Sequence, residues 1–305
     1  MIKLINSSQE QQLTAKRSLD KRIKSLRSVK LTGLDMKPSV YSLIFKEYTL
    51  EDFFKKMQEI GYEAVEIRIH EDGCHLSPYA ELSEAKKIAK LAEDYGLEIC
   101  CLASYAKLGF PWDRAERELD KMVRIARLAD VTGARVFRIK VAGYDPKLGY
   151  EAIRKLFREQ AKELFKRLSG VKAEAVPVVE QHGGGDMAHS TGLLKDLLRG
   201  LDPDKIGVLF DPGNSVVIGW LPLELQIDII KEYLKHVHVK NYKWDPERPG
   251  RVIPSPLDDG IVDWARVVDI LKELGYKGYL SLEDFRPIPP EVRAKEAIEF
   301  FKKLL

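Results

Sequence analysis

The sequence predicts an α/β protein, a (β/α)8 TIM barrel over residues 37–305, on three observations. Eight short apolar runs alternate with longer amphipathic segments, and strict alternation implies parallel strands joined by helices. The first run is not followed by the glycine-rich turn that usually opens a doubly wound open sheet, the competing architecture. In several runs the positions alternating with the apolar ones are ionisable, and a closed barrel gives them an interior to face.

The elements follow in order. The first strand is expected over SVYSLIF (39–45), followed by the helix TLEDFFKKMQEIG, with Thr49 as N-cap and Gly61 as stop. EAVEIRI (63–69) is the second strand; its helix, ELSEAKKIAKLAEDYG, takes Ser83 as N-cap and Gly96 as stop. LEICCLAS (97–104) leads into AERELDKMVRIARLADVTG, closed by Gly133. RVFRIKVA (135–142) leads into GYEAIRKLFREQAKELFKRLSG. VPVVEQH (176–182) precedes TGLLKDLLRG, and IGVLFD (206–211) precedes PLELQIDIIKEYL. HVHVKN (236–241) precedes VDWARVVDILKELG, stopped by Gly275, and GYLSLED (278–284) precedes PEVRAKEAIEFFKKLL.

Parity sorts the side chains. In EAVEIRIH, Val65, Ile67 and Ile69 take one side and Glu66, Arg68 and His70 the other. Phe137, Ile139 and Val141 alternate with Arg138 and Lys140, while Val136 fits less well. His236, His238 and Lys240 oppose Val237 and Val239, and Ser281 and Glu283 oppose Leu280 and Leu282. Glu180 shares a side with His182, and Asp211 ends its run. A core this charged is costly unless its ions are paired, so a structural ion network competes with a functional site. Glu180, Asp211, His238 and Glu283 each stand near the end of a different strand, where barrel sites are built. Three carboxylates and an imidazole converging on one axis call for a cation. This donor set suits one divalent ion: Mn2+, Mg2+, Co2+ or Zn2+.

Composition sets the remaining bounds. With 305 residues, 45% of them hydrophobic, the chain is long enough for one large barrel. No apolar run approaches a membrane span and no signal sequence opens the chain, so a cytoplasmic protein is expected. Cys74, Cys100 and Cys101 are too few for a disulfide framework and are read as reduced thiols. Residues 1–30 hold eight basic and two acidic side chains, and Leu19, Ile23 and Leu26 recur at helical spacing. A basic helical extension over 1–36 is therefore expected, packed on the main body or touching an acidic partner.

The motifs VEQHGGG, FDPGN, HVHVKN, PLDDGIVDW and LSLED, in this order, resemble the xylose isomerase-like barrel superfamily over about residues 37–305. That superfamily includes sugar isomerases and epimerases, inosose-processing enzymes and endonuclease IV. The resemblance implies Glu180, Asp211, His238 and Glu283 as metal ligands, the same four that parity and charge select. The acidic residue that family epimerases carry six positions after the first ligand is Asp186 here. Asn214 stands where they carry a histidine, Trp244 where they carry a substrate-gripping arginine, and Asp258 where many relatives have glycine.

The implied chemistry is that of a metal-dependent sugar isomerase or epimerase, moving a proton next to a carbonyl through an enediolate. Glu180 and Glu283 are the candidate acid and base; Lys240, and less so Lys140, would bind the oxyanion or donate a proton. The alternative role for either lysine is an ion pair with Glu66 or another barrel acid. His70, His182, Asp186, Asn214, Trp112 and Arg251 are candidate substrate contacts, Arg251 and Arg248 as anion-binding substitutes for the missing arginine. His75 and His189 are expected to face solvent. The expected partner is a small sugar or polyol-derived ketone; no membrane partner is expected, and the fold class allows a homo-oligomer. A dehydratase of the inosose type keeps the same site and expels a β-hydroxyl, with Lys140 or His182 as acid. An endonuclease IV-like phosphodiesterase is disfavoured, because that reading needs histidines on several strands and an Asp-x-His where this chain has WDPERPG. A non-catalytic binding protein ranks with it.

Overall fold

The computed structural model describes residues 36–219 and 222–305. The basic extension expected over 1–36 therefore lies outside the described residues, Met36 excepted, as does Trp220.

Eight parallel strands close into a barrel. In chain order they are β1 (Lys37–Tyr41), β2 (Ala64–Arg68), β3 (Glu98–Leu108), β4 (Val136–Val141), β5 (Val176–Glu180), β6 (Gly207–Phe210) and β7 (Leu234–Val239). A hairpin of β8 (Asn241–Trp244) and β9 (Val252–Ser255) intervenes before β10 (Tyr279–Leu282), the eighth barrel strand. β10 pairs with β7 on one side and β1 on the other, which completes the ring. Among the described residues no helix is long and apolar enough to cross a membrane.

The alternation in the sequence becomes the two sides of the barrel wall. Val65, Ile67, Phe137, Ile139, Val179, Val208, Phe210, Val237, Val239, Leu280 and Leu282 are fully buried and belong to the main apolar core. The helices bury their own stripes in the same core. Leu50–Ile60, for example, contributes Phe53, Phe54 and Met57. Each such side chain contributes about 1.5–3 kcal/mol relative to exposure. Thr49 caps that helix by accepting from the Asp52 amide, and Gly61 ends it at φ 97°, in the left-handed region glycine favours.

A second, smaller apolar cluster comprises Cys100, Cys101, Val136, Val178 and Leu209. Val136 belongs with these residues and not with Phe137 and Ile139, which explains its poor fit to the outward set. Cys101 pairs in register with Glu66 and Ile99 with Val65, so Cys100 is the extra residue of a bulge. All three cysteines are free.

Four expectations need correction. The strand expected over 39–45 stops at Tyr41, and Ser42–Phe45 form a 3-10 turn. There the Ser42 hydroxyl accepts from the Arg68 amide, and Ile44 and Phe45 are buried, so the apolar run reflects a buried turn. The helix after β2 is capped at Glu81, not Ser83. β3 runs four residues past its expected end, with a register shift between Ala103 and Lys107. His75 does not face solvent: its ring meets the Ser42 hydroxyl and the Tyr48 carbonyl and stacks on Phe53. His189 is half-buried. The β8–β9 hairpin and the short helix Pro212–Ile218 have no counterpart in the sequence reading.

Candidate metal centre

Glu180 closes β5, Asp211 follows β6, His238 lies within β7 and Glu283 follows β10, all at the carboxyl ends of their strands. Each of the four is at most 5% exposed. One oxygen or nitrogen from each lies within 4.8 Å of the corresponding atom of every other. Donors on opposite sides of a six-coordinate ion with bonds near 2.1 Å stand about 4.2 Å apart, so the spread suits one small cation.

Local structure aims each donor. Asp211 is the N-cap of Pro212–Ile218: its Oδ1 accepts from the Asn214 amide at 3.0 Å, leaving Oδ2 turned to the site. Lys240 Nζ lies 2.7 Å from that Oδ2 and 2.6 Å from Glu283 Oε2. Glu180 Oε2 faces Arg138 at 3.3 Å and Lys140 at 3.4 Å. Yet Glu180 Oε2, Asp211 Oδ2 and His238 Nδ1 are buried without a hydrogen-bond partner. The approach of Lys240 to Asp211 Oδ2 is an ion pair without hydrogen-bond geometry. Three orphaned donors aimed into one buried space are what a divalent ion would satisfy, and the residues present fit it. Gly213 makes the packing possible, since a Cβ there would stand 2.5 Å from Lys240 Cγ.

Glu66, on β2, orients the imidazole. Its Oε1 accepts from His238 Nε2 at 3.0 Å and its Oε2 from His236 Nε2 at 3.0 Å. A carboxylate only accepts, so Nε2 of His238 carries a hydrogen, and Nδ1 is the atom that would give its lone pair to an ion in exchange for a proton. Neither lysine pairs with Glu66; each pairs with another barrel acid, Lys140 with Glu180 and Lys240 with Asp211 and Glu283. Glu66, Cys101 and His236 form a second cluster of potential ligands, but Glu66 is already engaged by the two rings.

The electrostatics follow from burial against pairing. Burial lowers His238, but Glu66 and Glu283 outweigh it and hold the imidazole well above the usual histidine range. Burial raises Glu180, yet Arg138, Lys140 and His238 keep its carboxyl well below the carboxylate range. Glu283, raised by burial but pulled down by Lys240 and His238, falls to about 2. Asp211 is raised, chiefly by burial, against the pull of Lys240. Burial also lowers Lys140.

The remaining candidates divide. His182 and Asp186 come together, the ring Nδ1 lying 3.4 Å from Asp186 Oδ2 and 2.8 Å from the Gly183 carbonyl. His70 accepts from the Asp72 amide and packs edge-on against Tyr105 beyond β2. Asn214 gives its side-chain amide to the Gln181 carbonyl, which ties the loop after β6 to that after β5. Trp112 opens the helix Trp112–Thr132, and neither a hydrogen bond nor a ring contact joins it to the four donors. Arg251 is exposed near the turn of the β8–β9 hairpin, and Arg248 is paired with Asp245. Tyr105 and Lys107 were not singled out in the sequence. Both lie beyond the expected end of β3, and the signal was there: YAKL continues the strand's alternation.

A sequence profile of the family described as xylose isomerase-like TIM barrel matches residues 54–304. The chain belongs to the xylose isomerase-like TIM barrel family. Within this xylose isomerase-like group, an uncharacterised protein of Methanocaldococcus jannaschii is 26% identical over 89% of this chain and 91% of its own length. An inosose dehydratase of Lacticaseibacillus casei is 26% identical over 35% of this chain and 39% of its own length. Among solved structures, a D-tagatose 3-epimerase-like protein superposes with a TM-score of 0.70 at 19% identity, covering 88% of this chain and 97% of the other. That likeness concerns the fold.

Proposed function

We propose that the protein is a divalent-metal-dependent isomerase or epimerase of a small sugar or polyol-derived ketone, working by proton transfer beside a carbonyl. The observation that carries this is the meeting of Glu180, Asp211, His238 and Glu283 at the carboxyl ends of their strands, with three of their donor atoms lacking a hydrogen bond. A divalent ion held by these four would polarise a carbonyl and its neighbouring hydroxyl. Glu180 and Glu283 come from β5 and β10, on different sides of the ring, so one carboxylate can take the α-proton and the other return it. Lys240, against Glu283, is placed to steady the negative charge of the enediolate and to hold Glu283 ionised. Arg138 and Lys140 do the same for Glu180.

Incubation of a ketose and inosose panel with the protein and Mn2+ in D2O should put deuterium at the α-carbon of a substrate. No label across the panel would remove the proton-transfer reading. A second reading is favoured by the inosose dehydratase match: loss of a β-hydroxyl from the same enediolate, with Lys140 or His182 as acid. It predicts a new ultraviolet-absorbing enone, which isomerisation does not make.

The proposal gives Glu66 a measurable task. Glu66→Gln keeps the volume but lets an amide face His238 and His236. Mn2+ affinity is expected to fall about 10- to 100-fold. Calorimetric titration of Mn2+ into both proteins reads this directly, and equal affinities would reduce Glu66 to a packing role.

A further inference from the structure

The charges around the centre are distributed unevenly. The arc β5–β10 supplies the carboxylates Glu180, Asp211 and Glu283 with one cation, Lys240, while the arc β2–β4 supplies Arg68, Lys107, Arg138 and Lys140 with one fully buried carboxylate, Glu66. Three of these cations gather round one ring: Arg68, Arg138 and Lys140 lie 5.6, 4.7 and 5.6 Å from the centre of Tyr105. Lys107 and Lys140 are register partners on adjacent strands, an arrangement of like charges that disfavours itself. Arg68 turns both terminal nitrogens to Asp72 in a two-point contact, its Nε left without a hydrogen-bond partner. Arg138 donates to the Ser104 carbonyl and the Tyr41 hydroxyl. Lys107 has Asp186 at 2.9 Å and remains 32% exposed. The nearest carboxylate oxygen to Lys140 is Glu180 Oε2, at 3.4 Å, and that atom is a candidate metal donor. An ion would draw partners away from Lys140, Arg138 and Lys240 alike, but Arg138 keeps the Ser104 carbonyl and the Tyr41 hydroxyl, and of the two lysines Lys140 is the one beside Lys107.

The charge balance points the same way. Four buried carboxylates, Glu66, Glu180, Asp211 and Glu283, meet three permanent cations, Arg138, Lys140 and Lys240, while buried Arg68 and Asp186 are balanced by Asp72 and Lys107. With a divalent ion added and His238 neutral as its ligand, these groups carry a surplus of one positive charge. A buried surplus is costly unless an anion joins it.

Resting on the metal-centre reading above, we infer that the substrate is an acidic sugar or polyol whose carboxylate docks at Lys140 and Lys107 while its carbonyl end reaches the four-donor centre. A carboxylate monoanion matches the surplus; a phosphate, at about −1.5 to −2, overshoots it. Lys140 and Lys107 are specificity residues under this inference, and Asp186 tempers their field so that neutral sugars are not shut out.

The test is calorimetric binding to the Mn2+-loaded protein of matched pairs: D-glucuronate against D-glucose, D-galacturonate against D-galactose, with glucose 6-phosphate as a third arm. At least one acid should bind ten or more times tighter than its neutral partner. Lys140→Gln should erase that preference and Lys140→Arg retain it. Lys107→Gln, at a half-exposed position, should weaken it several-fold and carries the test if Lys140→Gln does not fold. Equal binding of acid and neutral sugar, binding of neither acid, or tighter binding of the phosphate would overturn the inference. Mn2+ uptake is read in the same instrument. Uptake without an acid preference sinks the inference alone, whereas no uptake sinks the metal-centre reading on which it rests.

Discussion

Glu283→Gln is expected to lower deuterium exchange at the substrate α-carbon by about 10²- to 10⁴-fold at saturating Mn2+. Glutamine keeps the side-chain volume and one oxygen beside Lys240, so the fold has little reason to change. It loses the capacity to take a proton and is a weaker donor to a cation. Saturation separates the two losses. Raising Mn2+ until the variant is loaded restores what weak binding removes and leaves the proton-transfer deficit exposed. Exchange at the wild-type rate under those conditions would take Glu283 out of the chemistry. The position makes the effect large: Glu283 is buried and lies 2.6 Å from Lys240 and 3.6 Å from His238 Nδ1.

The second large effect concerns stability. Lys240 is the cation between Asp211 and Glu283, and all three are buried. Lys240→Met fills the space with an apolar chain and leaves two carboxylates facing each other. Breaking a buried ionic group in this way costs about 3–5 kcal/mol. For a barrel of this size that corresponds to a drop in Tm on the order of 10 °C. Added Mn2+ should return part of the loss, because an ion at the four-donor centre compensates the same carboxylates. Calorimetric scans with and without Mn2+ measure both halves. A metal-free variant as stable as the wild type would mean that Lys240 does not hold this charge, and the electrostatic account of the centre would fall with it.

The barrel was legible because its wall is written twice, once as strand–helix alternation and once as parity within each strand. Phe137 and Ile139 against Arg138 and Lys140 could hardly be read otherwise. The four donors were legible for the same reason, since each is an ionisable residue at the end of its own strand. What stayed hidden depended on events between elements. The Glu66 carboxylate shared by His236 and His238 joins residues some 170 positions apart, and no spacing along the chain announces it. The turn Ser42–Phe45 is as apolar as a strand, and hydropathy alone does not separate a buried turn from one. Lys107 was lost to a bulge that carries β3 beyond its apparent end.

The small apolar cluster of Cys100, Cys101, Val136, Val178 and Leu209 has a chemical corollary. Its two adjacent thiols are at most 3% exposed, and burial pushes both well above the usual cysteine range. Oxidants attack the thiolate, so neither sulfur is a ready target while the protein stays folded.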